Sequence, residues 1–132
     1  MNRRLESFRN FVLDLESLSK CKERGVAAII TDKDLLQIHS IGINGGAKGQ
    51  DDCMCDTDGK YGCVHAEINA LVKCTTVSED KIMIVSLAPC KQCAAAIINT
   101  PGSFSAVYFI DDWKESIGIN MLKNAGIHAA SI

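Results

Sequence analysis

Leu5, Phe8, Val12, Leu15 and Leu18 recur at steps of three and four residues, the spacing that turns one side of a helix towards a core. The pattern predicts a helix over roughly 3–20. The period then changes. Val26 to Thr31 and Leu35 to Ile43 read as two strands, joined by Asp32-Lys33-Asp34, a polar turn suited to a hairpin. Gly42, Gly45, Gly46 and Gly49 open a polar loop that runs to about Tyr61. It is the longest stretch with no period, and such loops commonly carry binding or metal chemistry.

Helical spacing returns from Cys63 to about Thr75, through Ala66, Ile68, Ala70, Leu71 and Cys74. Lys81 to Leu87 reads as a third strand and Lys91 to about Asn99 as a helix, broken by Pro101-Gly102. Phe104 to Ile110 follows as a fourth strand, Glu115 to Asn124 as a last helix and Ile127 to Ile132 as a short final strand. Strands alternating with helices after residue 63 require βαβ crossovers and parallel pairing, and the opening hairpin makes the sheet mixed. With no repeat or linker, the 132 residues read as one domain, 1–132.

Composition narrows the partners. Hydrophobic residues make up 47% and charged residues 23%, as in ordinary soluble domains. The formal net charge is −2 and no run of lysine and arginine forms a stripe, which argues against a nucleic-acid partner neutralised over many phosphates. A small nucleotide needs no such stripe. No apolar run approaches the roughly 20 residues that span a bilayer, and Met1 to Glu6 lacks a secretory core, so no membrane partner is expected. In a reducing cytoplasm, seven cysteines grouped near a histidine read as metal ligands rather than disulfides.

The chemistry concentrates in His65-Ala66-Glu67 and Pro89-Cys90-Lys91-Gln92-Cys93. Cys90 and Cys93, three apart at a helix start, can point both sulfurs to one side. The helix N-terminus there is expected to lower the thiol pKa and favour thiolates. His65 completes a three-ligand set for Zn2+, leaving the fourth tetrahedral position open, as catalytic zinc requires. Glu67 lies two residues on, about 200° round a helix; at a helix start it can flank the open position without ligating, as a proton shuttle. A lone C-x-x-C more often marks a structural zinc or redox site, and a lone H-x-E is close to noise. Together, with one strand between them and a proline before the first cysteine, they favour a catalytic centre.

H-x-E…P-C-x-x-C is the general pattern of zinc deaminases, and from about Leu18 to Ile127 the chain resembles the cytidine/deoxycytidylate deaminase superfamily, most of all its dCMP deaminases, including viral ones. Gly42-Ile43-Asn44-Gly45 resembles the family's G-Y-N-G loop, Cys63 to Ala70 its H-A-E-x-N-A helix, and Ser86 to Cys93 its S/L-x-P-C-x-x-C segment. Ala106-Val107-Tyr108 and Met121 to Ile127 resemble its closing strand and L-x-x-A-G-I ending. The resemblance implies a three-layer α/β/α sandwich around a five-stranded mixed sheet, a homo-oligomer, and conversion of dCMP to dUMP with release of ammonia. It implies Glu67 as the catalytic acid/base and zinc on His65, Cys90 and Cys93. Asn44, Ala66 and Ser86 become substrate contacts, and Trp113 stands near the family's base-stacking tyrosine. The loop reads Asn44-Gly45-Gly46-Ala47-Lys48-Gly49 where the family often has N-G-x-P-R-G. Lys48 keeps a cation that could meet phosphate or simply be solvated.

Some viral members hold a second, structural zinc with cysteines after the first helix and in the asparagine loop. Cys21 and Cys53 match those places, with Cys55 or Cys63 in place of the family's histidines. Against this, C-x-C is an uncommon zinc spacing, and Cys63 could pack beside the active-site helix. Two other functions stay open. One is deamination of another base: a free nucleoside, or adenosine or cytidine in RNA or single-stranded DNA, which the 5% aromatic content serves poorly. The other is an inactive zinc-stabilised interaction module, against which the retained Glu67 argues.

Overall fold

A computed structural model describes residues 1–55, 62–77 and 79–132; the end of the polar loop expected to reach Tyr61 lies outside the described residues. The chain begins with helix α1 (Arg3–Glu16), capped by the Asn2 side chain, which accepts from the Leu5 N–H at 2.8 Å. The helix stops four residues short of the end expected at about residue 20. Ser17 turns its hydroxyl to the Asp14 carbonyl, and Ser19 points its own at Asn44. Such local bonds give the backbone an alternative to another helical turn.

Strands β1 (Ala27–Asp32) and β2 (Ile38–Ile43) pair antiparallel as a hairpin. The second strand starts at Ile38, not Leu35. The Asp32 carboxylate accepts from the N–H groups of Leu36 and Gln37 at 2.7 and 2.8 Å, so the turn extends to Gln37. Leu35 sits at φ 57° inside it. That left-handed conformation disfavours a leucine, but it buries the side chain with α1, and burial offsets the strain.

Helix α2 (Ala66–Lys73) precedes β3 (Asp80–Leu87), followed by α3 (Lys91–Asn99), β4 (Ser103–Asp111), α4 (Ile117–Asn124) and β5 (His128–Ser131). The five strands form one sheet in the order β2-β1-β3-β4-β5, parallel from β3 to β5 and antiparallel at β1. This is the mixed five-stranded sheet that the hydrophobic pattern and the resemblance together required. Alternation sorts the strand residues. Ala27, Ile29, Ile82 and Ile84 face α1, whereas Ala28, Ile30, Met83 and Val85 face α2, α3 and α4. Three layers result. Gly42, expected to open the loop, lies within β2, because a Cβ there would run into the Ala66 carbonyl and the Ala70 nitrogen of α2. Among the described residues no helix is long and apolar enough to cross a membrane.

Candidate active site

Helices α2 and α3 bring their starts together, and the residue capping each start carries a side chain that can bind metal. His65 is the N-cap of α2 and Cys90 the N-cap of α3. Cys63 lies outside the helix expected from it, in the segment that leads to His65. Cys93, on the first turn of α3, is fully buried. His65 Nδ1 stands 3.1 Å from Cys93 Sγ and 3.6 Å from Cys90 Sγ. With zinc–sulfur bonds near 2.3 Å and zinc–nitrogen near 2.0 Å, tetrahedral ligand atoms lie about 3.5 Å apart. The donor set therefore fits zinc, and among the described residues the group has no fourth protein ligand.

Glu67 follows on the first turn of α2, 4% exposed. Burial pushes its carboxyl above the usual carboxylate range, against its own backbone N–H, the His65 imidazole and a hydrogen bond to Cys93. Burial likewise raises the Cys93 thiol, and the charges of Glu67 and Cys90 raise it further. The helix N-terminus was expected to pull this thiol down; desolvation outweighs it. A cation among the three ligands is what would make this sulfur a thiolate.

The group opens on a cavity of about 280 Å³. Ala66 and Glu67 line its depth, Leu87 and Val26 give it apolar wall, and Trp113, 38% exposed, lines it from the β4–α4 connection. The remaining wall comes from Glu23, Arg24, Asn44 and the cysteines 21, 55 and 63. Of the residues chosen from sequence, Asn44, Ala66 and Trp113 thus meet around Glu67. Asn44 does so as a clamp. Its Oδ1 accepts from the Val26 N–H at 2.9 Å and the Ser19 hydroxyl at 2.6 Å, while Nδ2 donates to the Arg24 carbonyl at 2.7 Å. One amide N–H remains for a ligand.

Two candidates lie elsewhere. Ser86 is fully buried in β3, and its Oγ accepts from the Ala27 N–H at 3.1 Å, stitching two strands. Lys48 lines a neighbouring hollow with Lys20 and the Gly45–Gly49 turn, on the other side of Asn44, which lines both, because Gly46 folds the loop back onto Asp52. Among the described residues, the lysine or arginine at the cavity is Arg24, which sequence reasoning passed over. Gly118 of α4 was passed over too: a Cβ there would strike the Pro89 carbonyl and the Cys90 backbone. Neither belongs to a recognisable motif.

Beside the cavity, Cys21, Cys53, Cys55 and Cys63 bring four sulfurs within 4.8 Å of one another. Cys21–Cys55 is 3.6 Å, Cys55–Cys63 3.4 Å and Cys63–Cys53 3.7 Å. Tetrahedral thiolates on zinc lie about 3.8 Å apart, far beyond a disulfide bond. The backbone N–H groups of Lys22 and Met54 point at Cys53 and Cys63, each at 3.4 Å. The backbone N–H groups of Lys22 and Cys55 hold the Cys53 thiol down at about 7, while burial pushes Cys63 up to about 12. The donor set suits a structural zinc.

Residues 2–110 match the family described as the cytidine and deoxycytidylate deaminase zinc-binding region. Over 106 residues the chain is 36% identical to a Caenorhabditis elegans protein named "Probable deoxycytidylate deaminase"; the match takes in 74% of this chain and 52% of that one. The chain thus spans about half the length of this relative. In fold it resembles the dCMP deaminase of cyanophage S-TIM5, solved with dCMP and dUMP, at a TM-score of 0.85 and 23% identity over 100% of this chain and 99% of that one. It also resembles Acinetobacter baumannii RibD, at a TM-score of 0.73 and 21% identity, covering 98% of this chain and 35% of that one. Matched from its first helix through its fourth strand, the chain belongs to the cytidine and deoxycytidylate deaminase zinc-binding family.

Proposed function

We propose that this chain hydrolyses the exocyclic amino group of a cytosine nucleotide, converting dCMP to dUMP and releasing ammonia. One observation carries the reading: a buried carboxylate, Glu67, lines a cavity next to an imidazole and two sulfurs spaced for zinc. His65, Cys90 and Cys93 would hold the ion. When bound, zinc supplies the Lewis acidity that makes water nucleophilic at neutral pH.

Glu67 does the proton work. It takes a proton from the attacking water and passes it to the ring nitrogen. It then takes the second water proton and delivers it to the amino group, which leaves as ammonia once its bond to the ring carbon breaks. One carboxylate serves both transfers because they occur in sequence. Asn44 offers its remaining N–H to the sugar or base, and Trp113 offers a ring face at the entrance. The names of the worm relative and of the cyanophage enzyme, the latter solved with dCMP and dUMP, support a cytosine nucleotide as substrate. The reading includes a second, structural zinc on the four-cysteine cluster, and a homo-oligomer working in the cytoplasm.

The test is ammonia release by purified, zinc-loaded protein from dCMP, CMP, deoxycytidine, cytosine and guanine. dCMP should be turned over best. Release from guanine alone, or from none of the five, overturns the reading.

A further inference from the structure

Arg24 is the sole permanent cation among the described residues lining the cavity, where Glu23 and Glu67 supply acids. Its guanidinium donates to Asp111 Oδ2 at 2.8 Å, and Asp111 ends β4 two residues before Trp113. With its side chain 41% exposed, Arg24 stands towards the mouth rather than the depth. A nucleotide bound with its amino-bearing carbon against Glu67 carries its phosphate at the far end of the sugar, hence towards that mouth. A phosphate dianion entering beside Glu23 and Glu67 needs an opposing charge, and a planar guanidinium matches phosphate oxygens two at a time.

The present partner does not compete strongly. Asp111 is 57% exposed, and ion pairs open to solvent are weak. The backbone beneath Arg24, by contrast, is fixed. Asn44 holds the Arg24 carbonyl and the Val26 N–H, and Cys21 belongs to the sulfur cluster just upstream. Such a held donor loses little freedom on binding. Lys48, the lysine that the sequence suggested, lines another hollow.

We propose that Arg24 exchanges Asp111 for the substrate's 5′-phosphate and thereby makes the cavity select a nucleotide over a nucleoside. The proposal rests on the deaminase reading above. Its test compares kcat/KM for dCMP and for deoxycytidine in the wild type, Arg24→Gln, Arg24→Lys and Asp111→Asn, with zinc content as a check on folding. In Arg24→Gln the dCMP-to-deoxycytidine ratio should fall at least about tenfold, the scale of a lost charge-assisted bond, and chiefly through KM for dCMP. Arg24→Lys should recover part of it.

Asp111→Asn should keep the ratio within about fivefold, the most an exposed ion pair provides. An unchanged ratio in Arg24→Gln overturns the proposal. So does an equal loss in Asp111→Asn, which would make the pair a prop for the wall. A wild type that deaminates both compounds equally well leaves the deaminase reading standing and removes this one. If nothing is turned over, the deaminase reading fails; titration of dUMP against deoxyuridine then still reads whether Arg24 confers phosphate preference.

Discussion

Burial of Glu67 strengthens its hold on a proton, while its own N–H, the imidazole of His65 and the Cys93 contact pull the other way without prevailing. The residue is thus kept close to its partners, in the buried wall of the cavity. Glutamine in its place keeps the shape, the helix turn and much of the hydrogen bonding, and loses only the ability to carry a proton. In Glu67→Gln the fold and the zinc on His65, Cys90 and Cys93 should persist, while turnover drops by at least about 10²-fold, the usual scale for a lost acid/base group. Steady-state rates beside metal analysis check this. A variant that turns over like wild type removes Glu67 from the mechanism.

Among the elements, α4 packs directly on the ligand segment, through Gly118. An alanine on an exposed helix would gain about 1 kcal/mol over glycine. Here its Cβ meets the Pro89 carbonyl and the Cys90 backbone, neither of which can rotate aside. The clash should win. Gly118→Ala is expected to lose roughly 1–3 kcal/mol in denaturant unfolding and to give up zinc more readily to a chelator, since Cys90 must shift. Greater stability would show that α4 has room to move. The same contact marks the limit of reading elements from sequence. Apolar spacing placed nine elements in the right order, because it reports which side of each segment meets the core. It misplaced the start of β2, where the Asp32 carboxylate holds the turn open to Gln37, and the end of α1, where serine hydroxyls compete for the backbone. Motif spacing singled out His65, Glu67, Cys90 and Cys93, which the fold brings side by side, because a shared metal would constrain their separations. Arg24 and Gly118 were illegible, their roles coming from strands and helices remote in sequence. Asn44 was legible as important, but its part in clamping 24–26 was not.

At the scale of the molecule, two sulfur clusters share one cavity, since Cys21, Cys55 and Cys63 line it together with His65 and Cys90. The loop that brings Cys53 and Cys55 to this wall offers few apolar side chains, and its ties to the rest of the chain include the exposed Lys20–Asp52 ion pair and the backbone bonds between Gly45 and Val64. Zinc on four thiolates would add folding free energy to the native state alone. The segment it would anchor at Cys21 runs on to Arg24 and to Asn44's clamp, so stability and substrate binding should be coupled. Metal analysis is expected to give about two zincs per chain. In Cys53→Ser one of them should be lost and the melting temperature should fall by about 5 °C or more, the shift that corresponds to over 1 kcal/mol in a domain of this size. KM for dCMP should rise as the Arg24 segment loosens, while the zinc at His65, Cys90 and Cys93 remains. One zinc per wild-type chain, or a Cys53→Ser protein with unaltered melting, would leave the four sulfurs as packed thiols and uncouple the wall from any metal.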